Sequence, residues 1–107
     1  MVRVLIVDDE AVRVPRITAF ARAMLQGEAI EVTHVTGLPR DLGEYQVVFL
    51  DHDLGDVDVH DEMKHLPEGA FVGKHVVVHS MNPVGAQNIM AAIEGAASVR
   101  RVPLSSM

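Results

Sequence analysis

Three short clusters in this chain carry groups able to hold a cation or move a proton: Asp8-Asp9-Glu10, Asp51-His52-Asp53 and His79-Ser80-Met81-Asn82. Two adjacent carboxylates, Asp8 and Asp9, crowd negative charge, which either raises a carboxyl pKa or recruits a hard divalent cation such as magnesium or manganese. The plainer reading is that one caps the following segment and the other is solvated. In an extended backbone side chains alternate, so Asp51 and Asp53 would share one side and His52 the other. Asp51 is then the metal ligand or nucleophile, and Asp53 a second ligand or the residue orienting His79. His52 completes the catalytic candidates. The imidazole of His79 can protonate a leaving oxygen or activate water near neutral pH, and a structural hydrogen bond is its plainer role. Ser80 is a hydroxyl for a phosphate oxygen, and Asn82 is a helix cap. Gly85 leaves bare the approach to the free amides after Pro83, which an anion would use. Arg13 is a phosphate clamp or a solvated base, and Arg16 a weaker candidate for the same role.

The elements that must position these groups are legible from hydropathy. Val4-Leu5-Ile6-Val7, Val47-Val48-Phe49-Leu50 and Val76-Val77-Val78 each run directly into one of the three clusters. Unbroken apolar runs of this length are strands buried on both faces of a parallel sheet, and ligands gather beyond the carboxyl ends of such strands. Ile30 to Val35 alternates as an edge strand does, and Ser98 to Val102 is the fifth strand. Helical spacing over Ile17 to Leu25 ends at Gly27, with Pro15 in its first turn. Leu38 to Gly43 is expected to form about one and a half turns, and Val59 to Leu66 a short helix. Asn82-Pro83 opens a further helix over Val84 to Glu94. The alternation predicts a flavodoxin-like, doubly wound α/β domain with five parallel strands in the order 2-1-3-4-5 and the last helix missing.

Composition narrows the chemistry. The 107 residues are 49% apolar, enough for one small domain, with six formal negative charges in excess. That charge, with one Tyr, three Phe and no Trp, argues against direct nucleic-acid binding. A positively charged or metal-bridged small ligand fits better. No cysteine is present, so disulfides and thiolate chemistry are excluded. The first apolar run is too short for a signal peptide or a membrane span, and the expectation is a soluble, cytoplasmic protein. Asp51 to Glu62 imitates a calcium-binding loop at its first, third and twelfth positions, but Asp56 stands where the sharp turn needs glycine. His34, His60, His65 and His75 have no partner at diagnostic spacing and are taken as surface residues. With no helix after strand five, one apolar face of the sheet would be left bare, and a homodimer is expected to cover it.

The acidic pair after strand one, Asp51 after strand three and Ser80 after strand four resemble the phosphoacceptor constellation of two-component receiver domains. Receivers carry a lysine at the end of strand five, whereas this chain reads Val99-Arg100-Arg101-Val102-Pro103. Leu50-Asp51-His52-Asp53-Leu54-Gly55 and His79-Ser80-Met81-Asn82-Pro83-Val84-Gly85 are more closely similar to the cyclic-phosphate processing receiver-like domains. That resemblance spans nearly the whole chain. It implies a receiver fold and a phosphoesterase activity on cyclic phosphates of nucleotides or sugars.

Overall fold

The computed structural model describes residues 1–107. Strands β1 (Val2–Val7), β2 (Ile30–Val35) and β3 (Val47–Leu50) are followed by a two-residue pair, β4 (Asp53–Leu54) and β5 (Val57–Asp58), and then by β6 (His75–Val78) and β7 (Ser98–Arg101). The main sheet is parallel throughout, in the order β2-β1-β3-β6-β7. This is the expected flavodoxin-like order once the small antiparallel β4-β5 hairpin is set aside.

Sequence period explains why the sheet is wound on both faces. Val4 and Ile6 of β1, Val47 and Phe49 of β3, and Val77 of β6 point to one side, where they meet Ile17 and Ala21 of helix α1 (Val14–Met24). The alternate residues Leu5, Val7, Val48, Leu50, Val76 and Val78 point to the other side. There they meet Val59 of α2 (Val59–Glu62) and Ala86 and Ile89 of α3 (Pro83–Ala92). Residues of the three central strand runs are at most 1% exposed, so each strand needs apolar character at every position. No helix is long and apolar enough to cross a membrane.

Two expectations are corrected. Leu38 to Gly43 is not helical. Pro39 lacks a backbone donor, Asp41 Oδ1 takes the Gly43 N–H at 2.7 Å, and Gly43 has φ +40°, so the segment turns while Leu42 tucks into the core. The second correction concerns the bare face of the sheet, the premise of the homodimer expectation. After β7, Val102, Leu104 and Met107 fold back onto the α1 side of the sheet, and Val77 and Phe49 beneath are at most 1% exposed. The chain itself covers that face.

Candidate functional site

Val7, Leu50 and Val78 lie in one register row across β1, β3 and β6. The residue after each continues the ladder by one bond: Asp51 N–H donates to Val7 O at 3.1 Å and His79 N–H to Leu50 O at 3.0 Å. Asp8, Asp51 and His79 therefore follow three adjacent strand ends on a common row. Their ligating atoms lie within 4.8 Å of one another. Beside them opens a crevice of about 490 Å³, walled by Asp51, His79, Ser80, Arg13, Leu104 and others.

Asp8 is fully buried and its two oxygens are divided between partners. Oδ1 accepts the Glu10 N–H at 2.8 Å, and Oδ2 accepts from His79 Nε2 at 2.9 Å. Burial alone would raise this carboxyl, but the His79 and Glu10 hydrogen bonds and the charge of Arg13 outweigh it and hold Asp8 below its ordinary value. Asp51 goes the other way. Its burial and the neighbouring Asp8 charge raise it, although His79, the His52 N–H at 2.9 Å and Arg13 oppose the shift. Arg13 is the counter-charge: Nη1 lies 3.0 Å from Asp51 Oδ2 and 3.5 Å from Asp8 Oδ1, and Nη2 lies 3.3 Å from Glu10 Oε2. Burial disfavours the charged guanidinium, yet these carboxylates keep its pKa above the ordinary arginine value.

Other expected site residues are placed differently. Asp9 is exposed at the crevice mouth, outside the Asp8-Asp51-His79 group. Asp53 also borders the crevice, but it pairs with His52 and not with His79, whose orienting carboxylate is Asp8. Strand alternation fails here because β3 ends at Leu50 and Asp53 begins the hairpin. His52 is buried away from the crevice lining, with Nδ1 3.0 Å from Asp53 Oδ1 and Nε2 3.4 Å from Asp58 Oδ2. Its ring lies on Gly85, where an added Cβ would come within 2.4 Å of it. The structure thus places His52, expected among the catalytic residues, outside the crevice lining and against α3. Gly85 is corrected too: its N–H is taken by Asn82 Oδ1 at 3.0 Å, so Asn82 is the expected cap and the amide is not free for an anion.

Ser80 stays with the site. Its oxygen accepts the Asn82 N–H at 3.0 Å, which leaves the hydroxyl proton for another acceptor. The backbone N–H groups of Ser80 and Met81 donate to nothing in the chain. Three participants escaped sequence reasoning. His34 Nε2 meets the Asp8 carbonyl at 2.7 Å, Leu104 N–H donates to His79 O at 3.2 Å and borders the crevice, and Arg101 Nε donates to Ser80 O at 3.2 Å. All three contacts reach backbone carbonyls, which no side-chain motif announces.

The sequence profile of the cyclic-phosphate processing receiver domain matches residues 3–95. No curated protein matches the chain. Among solved structures, the fold is similar to that of a response regulator protein from Burkholderia pseudomallei, determined with a phosphorylated aspartic acid, a calcium ion and citrate. That likeness has a TM-score of 0.58 at 13% identity and covers 96% of this chain but 61% of the other. A signal receiver domain from Vibrio parahaemolyticus is similar at a TM-score of 0.51 and 18% identity, over 94% of this chain and 78% of that one. This chain spans less than two thirds of the first of these, and at such identities the likeness is one of fold.

Proposed function

We propose that this chain, which belongs to the cyclic-phosphate processing receiver domain family, hydrolyses a cyclic phosphate of a nucleotide or sugar in the crevice at the carboxyl edge of its sheet. The observation that carries the reading is the buried Asp8–His79 pair in the crevice wall, 2.9 Å between Oδ2 and Nε2. With the proton on Nε2 facing Asp8, the lone pair sits on Nδ1, and Nδ1 has no hydrogen-bond partner. His79 then takes a proton from water as it attacks phosphorus. The same proton goes to the ester oxygen as its bond to phosphorus breaks, leaving a phosphomonoester and a free hydroxyl. Asp8 stabilises the imidazolium in between, and the Ser80 hydroxyl with the Ser80 and Met81 amides receives the phosphate oxygens.

The donor set fits a hard divalent ion. Oxygen ligands from Asp8 and Asp51, with Asp9 at the mouth, would hold magnesium or manganese. Charge supports this: Asp8, Asp9, Glu10, Asp51 and Asp53 bring five carboxylates to a crevice lined by one guanidinium, that of Arg13, and this excess repels an unaccompanied phosphate. When bound, such an ion offsets that repulsion and polarises a phosphate oxygen.

One observation favours a second reading, a ligand-binding or regulatory module without turnover. His79 is 1% exposed, and substrate must loosen its surroundings to reach Nδ1. Both readings meet one experiment, in which nucleoside 2′,3′-cyclic phosphates and ADP-ribose cyclic phosphate are followed by phosphorus NMR with and without magnesium or manganese. Turnover is expected, and His79→Gln, which keeps a donor for Asp8, should lower it about a hundredfold to ten-thousandfold. Binding without turnover selects the regulatory module. Full activity in His79→Gln removes the acid/base role.

A further inference from the structure

We infer that Arg13 is the site's internal counter-cation: it neutralises Asp8 and Asp51 when no divalent ion is bound, is displaced when the ion enters, and turns the released guanidinium to the phosphate. This rests on the reading of Asp8 and Asp51 as ligands of the ion. Each of their four oxygens is already engaged. Asp51 Oδ1 accepts the His52 N–H at 2.9 Å and Asp8 Oδ1 the Glu10 N–H at 2.8 Å, and both donors are fixed by the backbone. Asp8 Oδ2 faces His79, which is enclosed at 1% exposure. Only the contact of Arg13 Nη1 with Asp51 Oδ2 is made by a side chain with somewhere to go, since Arg13 is 31% exposed and borders the crevice.

An ion shared by the two carboxylates would sit about 2 to 2.6 Å from their oxygens. Nη1 now lies 3.0 Å from Asp51 Oδ2 and 3.5 Å from Asp8 Oδ1, which is the same space. A divalent ion and a guanidinium repel one another strongly at that range in a partly buried site, so the mobile one leaves. Glu10, 3.3 Å from Nη2, can retain the displaced arginine at the mouth. There the guanidinium fork suits the oxygens of a phosphate. Cation and phosphate therefore bind with positive coupling, and without the ion the phosphate meets carboxylates and a sequestered arginine.

Calorimetric titration of manganese into chelator-treated wild type and Arg13→Gln tests this. The variant, which keeps length but loses charge, should bind manganese about five- to a hundredfold more tightly, the usual range of a coupling between sites. Inorganic phosphate titrated into the manganese-loaded proteins should bind the variant more weakly by a similar factor. Thermal melts supply a second readout: metal-free Arg13→Gln should melt below wild type, and saturating manganese should close the gap. Should Arg13→Gln fail to fold without metal, Arg13→Lys must show the same tightening to a smaller degree. If wild type binds manganese and neither variant binds it more tightly, the inference falls while the metal site stands. If none of them binds manganese, both fall.

Discussion

At the level of single residues, Asp8 and Asp51 are neighbours with opposite responses to proton concentration. Asp8 has a folded pKa below its unfolded value, so its contribution to stability is present above about 3.9, the ordinary aspartate value, and is lost as pH falls through the lower folded value. Asp51 has a folded pKa above its unfolded value, so its contribution is present below about 3.9 and is lost as pH rises through the higher folded value. An ionised Asp51 in the metal-free fold is thus a buried charge that Arg13 only partly offsets. Asp51→Asn should stabilise chelator-treated protein at pH 7, seen as a rise in Tm over wild type. The gain should shrink as pH is lowered towards 4, and saturating manganese should reverse the order by favouring wild type. Melts of Asp51→Asn at or below wild type at neutral pH in chelator would show that the Arg13 contact compensates the carboxylate fully.

At the level of elements, the hairpin β4-β5 closes around the His52 ring, and His52 is admitted by Gly85. The ring stands between Asp53 and Asp58, the two ends of the hairpin, and rests on the first turn of α3. Replacing a helical glycine by alanine ordinarily stabilises a helix by about 0.5 to 1 kcal/mol. Gly85→Ala should do the reverse, because its Cβ would lie 2.4 Å from the ring, and overpacking of this kind costs about 1 to 3 kcal/mol. Hydrogen exchange should quicken in residues 53–58 before the rest of the domain, and a variant melting above wild type would show that the ring shifts without cost. This arrangement was hidden from the sequence for a physical reason. Strands of two residues have no measurable period, and adjacency to Asp51 does not say that Asp53, while bordering the crevice, faces His52. The long strands were legible because burial on both faces demands an apolar residue at every position. The same clarity placed Asp8, Asp51 and His79 together, one step beyond three runs that share a register row. What could not be read was the pairing among them, since spacing does not say whether Asp8 or Asp53 meets His79.

At the level of the whole molecule, two apolar layers sandwich one sheet, and the last few residues complete the layer on the α1 side. Leu104 matters twice: its side chain packs with Met107 over the core that contains Phe49 and Val77, and its N–H holds the carbonyl of His79. Cover and site are thereby joined through one short turn, Leu104–Ser106. The outer edges of β2 and β7 bear charges such as Glu31, Arg100 and Arg101, which discourage edge pairing between copies. The 107-residue chain should therefore scatter light as a monomer at tens of micromolar. Leu104→Ser combined with Met107→Ser should lower stability by about 2 kcal/mol, on the scale of partial burial of two large apolar side chains. The double variant should also associate as concentration rises, because it bares the surface that the wild-type tail covers. Its crevice should weaken along with its core, seen as a shift of the His79 ring signals in proton–nitrogen NMR, since the Leu104 backbone contact anchors that residue. A double variant that stays monomeric with unshifted His79 signals would mean that the turn holds its place through its backbone bonds alone, and that the apolar cover is dispensable to the site.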